Sequence, residues 1–268
     1  MEQQKLFRMP ARSRNRKAGP TVKDNRKIAV AGTGRGSGVS LVTGLLAARA
    51  AARAPEEAVT LAELGTPYFY EAFGIGKRFL HRDFFPFYSM MAQRRSIKGL
   101  SNTEEGINWA LRCPGECSPR EAPSAPVSDR LRLIHNLSGT LLLFDCSGMA
   151  GDALWEILPE MDALIFVVDP LPSTLIPQAG LIERIRLESP DALWVVNKMN
   201  RGVHKGELKR FLGGVPCLEI PFLAPEELYR AQYNCQLPYC LPSVRQKAEP
   251  ALQALWQGVE GFGPLRSR

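Results

Sequence analysis

The sequence predicts a Rossmann-like α/β fold, in which helices flank a doubly wound and mostly parallel sheet within a single domain. Short apolar runs typical of buried strands recur along the 268 residues, and helix-like segments separate most of them. A glycine-rich turn also joins the first apolar run to the first helix. Strands that alternate with helices form parallel sheets that are covered on both faces. Ligands of such sheets bind where the strands end.

The elements can be assigned in order along the chain. The first apolar run is followed by the glycine-rich turn and then by an Ala- and Leu-rich helix, and Pro55 follows that helix. Two neighbouring strands are expected across the turn at 137–139. We predict strands at 27–32, 58–62, 130–135, 140–144, 163–168, 193–196 and 217–220, and helices at 39–53, 103–112, 151–158, 174–187, 205–212 and 245–257.

The predicted domain spans 27–258 and contains an insertion at 64–128, and 259–268 is predicted to be a flexible C-terminus. Nine aromatic residues lie within 68–88, and four prolines predict a loop over 113–128. Two interpretations of the aromatic segment stay open. It packs an inserted subdomain over the sheet edge, or it forms a surface on which a partner docks.

Positive charge is concentrated at the N-terminus. Residues 1–27 hold nine basic and two acidic groups, which accounts for the net charge of +7, so the rest of the chain is neutral. We predict that 1–26 is a disordered basic tail that contacts a membrane surface or another protein. A neutral body makes nucleic acid an unlikely partner, because nucleic-acid readers carry positive charge on the fold itself.

Composition excludes several classes of protein. The chain has no apolar stretch of membrane-spanning length and no secretory signal. Six cysteines are too few for a disulfide scaffold, so we expect a cytoplasmic protein. Cys113, Cys117, Cys235 and Cys240 could supply four thiolates, but their spacing is not the usual one, and no zinc is expected.

The turn after the first strand has the composition of a phosphate loop. Glycines let successive backbone N–H groups converge on an anion, and the following helix adds its dipole. Ser40 stands where a hydroxyl would bind Mg²⁺, but Val39 stands where a lysine would reach the phosphates. A tight turn without a ligand is the alternative. The candidate binding residues are Gly34, Arg35, Gly36, Ser37, Gly38, Val39 and Ser40.

Polar residues also follow two other strands. Asp145, followed by Gly148, suits an acid that holds a metal-bound water beside a loop that senses a phosphate. Asn197 and Lys198 could offer an amide and an aliphatic stem to a purine base, with adenine favoured over guanine because Asn200 is not Asp. A helix cap and a plain strand exit are the structural alternatives for the two positions.

These segments together resemble the MinD/ParA (SIMIBI-class) branch of P-loop NTPases, and within it the CpaE/TadZ-like proteins of pilus assembly and secretion clusters. The resemblance covers about residues 27–242. It rests on their order along the chain: 28–40, 61–63, 141–148, 167–170, 195–198 and 220–221.

The resemblance implies ATP or ADP held with Mg²⁺ at a homodimer interface, and a role in placing other machinery. Position by position, Gly36, Gly38, Val39 and Ser40 would line the phosphates. Glu63 falls on an acid near the attacking water, Asp145 on the acid that holds a Mg²⁺-bound water, and Asn197 on the adenine contact.

Two lysines of the family are absent. The signature lysine corresponds to Gly34 and the phosphate lysine to Val39, so the Walker A motif is degenerate. Because charge stabilisation is the main catalytic contribution in phosphoryl transfer, we predict weak ATP hydrolysis or none.

The predicted function is a nucleotide-binding scaffold or localisation factor for a pilus or secretion assembly. It would bind proteins of that machinery and lie in the cytoplasm or peripherally at the inner membrane face. Two alternatives stay open: an active ATPase that uses Arg35 or a partner residue, and an adaptor that binds no nucleotide.

Overall fold

A computed structural model describes residues 25–55, 58–114, 126–149 and 151–261. These residues form one eight-stranded sheet in the order β3-β4-β2-β5-β1-β6-β7-β8, and among them every strand pairing is parallel except that of β3 with β4. This arrangement confirms the predicted α/β class. The strands are β1 (Arg26–Gly32), β2 (Val59–Glu63), β3 (Thr103–Glu104), β4 (Ile107–Ala110), β5 (Leu141–Asp145), β6 (Ala163–Val168), β7 (Leu193–Met199) and β8 (Cys217–Pro221).

Helices cover both faces of the sheet. They are α1 (Val39–Arg53), α2 (Phe69–Ala72), α3 (Ile75–Arg78), α4 (Phe87–Ala92), α5 (Val127–Asn136), α6 (Asp152–Trp155), α7 (Pro172–Leu175), α8 (Ala179–Glu188), α9 (Lys205–Phe211), α10 (Pro225–Tyr233) and α11 (Pro242–Gly261). Short 3₁₀ turns lie at Leu158–Glu160, Ile176–Gln178 and Pro238–Cys240. None of the helices described is both long and apolar enough to cross a bilayer.

The core has one half on each face of the sheet. Alternate residues of a strand point to opposite faces, so Ile28 and Val30 pack with α1 and α11, whereas Ala29 and Ala31 pack with the α4, α5 and α8 side. The central strands are buried over almost their whole length, as expected of a parallel sheet between two helical layers.

Parallel strands give the molecule two distinct ends. Pairing aligns Arg26 with Leu141 and Ile28 with Ala163, so the amino ends of the strands lie together. The loop after Gly32 and the strand end Asp145 lie at the opposite, carboxyl end. All the candidate site residues therefore fall at or near one end of the sheet.

The predicted helix over 103–112 is wrong. This segment forms the hairpin of β3 and β4, and the two turn residues Glu105 and Gly106 have φ of 50° and 76°. Two consecutive left-handed residues suit a tight hairpin turn and not a helix. The insertion therefore contributes one strand, β4, that pairs directly with β2 in the main sheet.

The predicted strand over 130–135 is also wrong, because the segment belongs to α5. Leu133, Ile134 and Leu137 are buried together with Arg130, which is a spacing of three to four residues. That period places them on one side of a helix. Packing against α4 stabilises the segment as a helix.

The aromatic segment serves mainly as packing. Phe69, Phe73 and Phe79 are buried in the core, and the ring centroids of Phe69 and Phe73 each lie 6.1 Å from Trp109 of β4. Tyr68 is the most exposed aromatic residue of this segment, and 39% of its surface is accessible. These contacts favour the packing interpretation over the docking one.

Some predicted boundaries shift. Strand β1 begins at Arg26, inside the predicted tail. Of that tail, Asn25 and Arg26 are described, and 1–24 lies outside the described residues. Helix α11 continues to Gly261, so the predicted flexible C-terminus is wrong for 259–261, and 262–268 lies outside the described residues. Most of the predicted proline-rich loop also lies outside them, and its end, Val127 and Ser128, opens α5.

Candidate functional site

The glycine-rich turn runs from the end of β1 to the start of α1. Gly36 and Gly38 have φ of 83° and 97°, in the left-handed region, and Gly34 has φ of 147°. A residue with a side chain rarely adopts such values, whereas glycine does so readily. The turn therefore brings backbone groups to the N-terminus of a 15-residue helix, where an anion is stabilised.

Short hydrogen bonds hold this turn in place. The Ser37 hydroxyl donates to the Gly34 carbonyl at 2.8 Å, and the Thr33 amide donates to the Val167 carbonyl of β6 at 3.0 Å. Thr33 and Ser37 are both buried. The Thr33 hydroxyl also accepts a hydrogen bond from the Asp169 amide at 3.3 Å, so both side chains stabilise the turn and are not free surface groups.

Asn197 lies against the turn from the end of β7. Its Nδ2 atom donates to the Ser37 carbonyl at 3.0 Å, and the side chain is almost completely buried. A Cβ atom added to Gly38 would lie 2.0 Å from that same Nδ2. The amide group is thus used to hold the turn, a contact that the sequence did not reveal.

Lys198 contacts the turn as well. It has a left-handed φ of 59°, and the pairing of β7 with β8 shifts register between Val196 and Met199. Its Nζ atom donates to the Gly36 carbonyl at 2.6 Å and to Asp169 Oδ2 at 2.5 Å. Because successive side chains of a regular strand point to opposite faces, this irregularity lets neighbouring residues both reach the turn.

Asp145 ends β5 beside the turn and is buried. Its Oδ1 atom accepts a hydrogen bond from the Ser147 amide at 2.8 Å, while Oδ2 has no hydrogen-bond partner among the described residues. Burial raises the pKa of Asp145 to about 6, and the Ser40 hydroxyl is the strongest of the groups that oppose this rise. A buried carboxylate oxygen without a partner, next to a hydroxyl, fits the oxygen ligands that Mg²⁺ prefers.

Glu63 ends β2 and aligns with Asp145 across the sheet. Its carboxylate accepts hydrogen bonds from the Tyr68 and Phe69 amides at 2.6 Å and from the Arg112 amide at 3.1 Å. Burial raises the pKa of Glu63 to about 7, although these donors favour the charged form. The side chain has no exposed surface and joins α2 to the end of β4.

A cavity of about 1040 Å³ opens over the turn. Val39 reaches its wall, but its side chain is buried in the core and carries no charge. Among the described residues that line this cavity, Arg35 and Arg184 are the cationic ones. Arg184 lies 4.0 Å from the ring centroid of Trp155 and donates from Nε to Glu188 at 2.8 Å. No local motif marks Arg184, because only the fold brings α8 to the turn.

A second cavity of about 510 Å³ is mostly apolar and shares Lys198 and Asp169 with the site. Leu171, Ile176 and Phe222 contribute side chains that are about half exposed or more. The Lys198–Asp169 ion pair therefore stands between an apolar cavity and the glycine-rich turn. Nothing in the sequence indicated that this ion pair would lie between the apolar cavity and the turn.

The cysteines do not assemble with other metal-binding side chains in the described part of the chain. No group of three or more His, Cys, Asp or Glu residues there has the geometry to hold a metal ion. Cys117, one of the four considered for zinc, lies outside the described residues.

Comparison with solved structures identifies the fold. A putative plasmid partition protein of Borrelia burgdorferi bound to AMPPNP matches with a TM-score of 0.65 and 14% identity, covering 87% of this chain and 99% of that one. The cell division ATPase MinD of Pyrococcus furiosus matches at 0.63 and 14%, covering 88% and 99%. The septum site-determining protein MinD of Pyrococcus horikoshii, complexed with Mg-ADP, matches at 0.63 and 13%, covering 86% and 96%.

The sequence itself matches no protein-family model and no curated protein. At identities this low the structural similarity establishes the fold, which is that of the MinD/ParA P-loop NTPases.

Proposed function

We propose that the protein is a nucleotide-binding scaffold that binds ATP or ADP with Mg²⁺ and hydrolyses ATP weakly or not at all. The observation that carries this proposal is the buried, unpartnered Oδ2 atom of Asp145 beside Ser40 and the glycine-rich turn. Leaving such an atom without a partner costs free energy, so its retention suits a site that a ligand completes.

Mg²⁺ would be held by the Ser40 hydroxyl and by Asp145, directly or through a bound water. When bound, the ion would neutralise charge on the phosphates and fix their position. The turn from Gly34 to Ser37 would supply backbone N–H groups to the phosphates. Asn197 and Lys198 would position the turn, each through a bond to one of its carbonyl groups.

The base would enter the apolar cavity beside Lys198. Sites of this kind are mostly apolar with a few polar groups that fix orientation. The lining of this apolar cavity includes Leu171, Ile176 and Phe222, and Asn200 and Lys198 add polar groups to it.

Weak hydrolysis is expected from the charges near the turn. Val39 and Gly34 stand where the related proteins are expected to have lysines, and the nearest cations that line the cavity in the described chain are Arg35 and Arg184. Glu63 accepts hydrogen bonds from three backbone amides and has no exposed surface, so it would hold α2 and β4 in place and would not activate an attacking water.

Calorimetric titration with ATP, with and without Mg²⁺, tests the proposal. We expect saturable binding that Mg²⁺ strengthens, turnover near the uncatalysed rate, and loss of the Mg²⁺ effect in Asp145→Ala. The matched control is Asp191→Ala, which removes an exposed carboxylate far from the turn.

Other outcomes separate the alternatives. Turnover that is lost in Asp145→Ala or Arg35→Ala would identify an active ATPase. No binding at millimolar ATP would identify an adaptor that binds no nucleotide, and would contradict the proposal.

The biological setting proposed is a pilus or secretion assembly, in keeping with the sequence resemblance to CpaE/TadZ-like proteins. The scaffold would act as a homodimer in the cytoplasm, with its basic tail at the inner membrane face. Genes for pilus or secretion components beside this one would support the assignment, and their absence would count against it.

A further inference from the structure

A groove of about 430 Å³ lies where α4 meets α5, on the helical face that includes α8. Its polar lining comprises Arg94, Arg95 and Ser96 from the segment that follows α4, and Arg132 and Asn136 from α5. Three guanidinium groups thus share one depression in a body that is neutral as a whole. Guanidinium groups recognise phosphate oxygens with paired hydrogen bonds, which makes arginine the preferred side chain for such anions.

In the described part of the chain, the arginines of this groove have little acidic pairing. Within the described residues, neither Arg94 nor Arg95 forms a side-chain hydrogen bond or ion pair. Arg132 approaches Asp129 at 3.9 Å, which is long for an ion pair. Glu160, the acid near the end of α5, pairs with His135 at 3.0 Å instead.

The backbone holds the two neighbouring arginines in fixed positions. Arg94 has a left-handed φ of 58°, its amide donates to the Met91 carbonyl at 2.9 Å, and the Arg95 amide donates to the Met90 carbonyl at 2.8 Å. These bonds complete the C-terminal end of α4. Met91 and Ile97, both buried, form the apolar floor of the groove.

The groove lies near the point where the basic tail joins the fold. The Arg26 amide donates to the Thr140 carbonyl at 2.9 Å, and Thr140 follows Asn136 of the groove by four residues. A four-residue segment spans at most about 14 Å. Arg26, the first residue of β1, therefore lies close to the groove, at the amino ends of the strands and opposite the glycine-rich turn.

We propose that this arginine groove binds phosphate headgroups of an anionic bilayer, as a second contact beside the tail. The proposal rests on the surface contact proposed above for the tail, and it does not require nucleotide. A bilayer is favoured over nucleic acid because Leu6, Phe7 and Met9 are interspersed with the basic residues of the tail. Apolar side chains among basic ones bind the boundary between headgroups and acyl chains.

This geometry also fixes an orientation. The bilayer would contact the amino ends of the strands, and the glycine-rich turn would face away from it. Two weak contacts on one chain strengthen each other, because binding at the first raises the local concentration of the second. Loss of either contact should therefore weaken binding clearly.

Co-sedimentation of the full chain with vesicles tests the groove, using phosphatidylglycerol mixed into phosphatidylcholine. We expect the triple variant Arg94→Gln/Arg95→Gln/Arg132→Gln to bind at least about tenfold more weakly. The control Lys77→Gln/Arg201→Gln/Arg230→Gln removes the same charge from exposed positions outside the groove and should bind as the unmodified chain does.

A chain that begins at Asn25 separates the groove from the tail. In that background the groove variant should still lower residual binding at low salt, whereas the tail proposal alone predicts no further loss. Equal losses in the groove variant and the control would overturn the proposal, as would unchanged binding in the groove variant. Preferential binding of the groove to an oligonucleotide, with no vesicle binding, would overturn it in favour of nucleic acid.

Discussion

At the scale of single residues, the site is organised by side chains that hold the turn and by one that is left without a partner. Asn197 and Ser37 use their polar groups within the fold, while one oxygen of Asp145 has none in the described chain. The difference separates residues that maintain the site from a residue that is available to a ligand. The sequence places Ser37 in the glycine-rich turn and Asp145 and Asn197 after predicted strands, which does not show which polar groups the fold itself uses.

The first prediction concerns Asp145. Its pKa is raised to about 6, against about 4 in an unfolded chain, so the folded state binds the proton more tightly. Stability from this group is complete below pH 4 and falls as pH rises to about 6. At pH 7.5 we expect Asp145→Asn to raise the free energy of unfolding by about 1–3 kcal/mol, measured by urea denaturation.

The control for this prediction is Asp191→Asn, which changes an exposed carboxylate and should leave the pH profile unaltered. In the Asp145→Asn variant the fall in stability between pH 4 and 6 should be reduced. A wild-type profile in that variant would mean that the Asp145 carboxyl is not buried in its charged form.

The second prediction compares two glycines of the turn. Gly38→Ala places a Cβ atom 2.0 Å from the buried Asn197 amide and imposes a left-handed φ on alanine. We expect it to lower the free energy of unfolding by about 2–4 kcal/mol. Gly36 also has a left-handed φ, but a Cβ atom there meets nothing within 4 Å.

Gly36→Ala is therefore the matched control, and it should cost about 1–2 kcal/mol from backbone strain alone. Thermal unfolding of the two variants measures the difference. If both lose the same stability, the contact between Gly38 and Asn197 does not matter to the fold.

At the scale of elements, β7 fixes the turn through an irregularity in its own pairing. Register with β8 shifts between Val196 and Met199, and Lys198 within this interval forms the ion pair with Asp169. The sequence predicts a strand over 193–196, and β7 continues beyond it to Met199. The shift itself has no sequence signal, because the left-handed residue is a lysine and not a glycine.

The third prediction concerns Lys198. Lys198→Met keeps the aliphatic stem but leaves the buried Asp169 carboxylate without its cation. Because Lys198 is partly exposed, we expect a loss of about 1–3 kcal/mol, less than for a fully buried pair. Hydrogen exchange at the amides of the turn should also become faster, since the turn loses one of its two side-chain contacts from β7.

Lys205→Met is the matched control, because its ion pair with Glu219 is exposed on both sides. It should change stability by at most about 0.5 kcal/mol. Equal losses from the two substitutions would show that the Lys198 contact does not hold the turn.

The two failed element predictions have one physical reason. Segments 103–112 and 130–135 both carry short apolar runs with ambiguous periodicity, and such runs are decided by what they pack against. Ile107 and Trp109 pair with β2, so their segment extends the sheet. Leu133 and Ile134 pack against α4, so their segment forms a helix with these residues on its buried side.

At the scale of the whole molecule, the sequence predicted the order of layers well and their connections less well. Parallel strands required that the glycine-rich turn, Asp145 and Asn197 meet at the carboxyl end, and they do. The role of Arg184 and the neighbourhood of the arginine groove could not be predicted, because each depends on how distant helices pack. The two ends of the sheet therefore differ in chemistry. The candidate phosphate-binding turn lies at the carboxyl end, and the arginine groove lies near the amino end.

The short hairpin at the edge of the sheet has a consequence for solubility. β4 consists wholly of buried residues, and an open edge of that kind would template pairing with another chain. The two residues of β3 cover its first half, and Asn102 covers the next position. The Asn102 carbonyl accepts from the Trp109 amide at 3.2 Å, and its Nδ2 atom donates to the Trp109 carbonyl at 2.9 Å. One asparagine thus ends the sheet where a longer strand would invite aggregation.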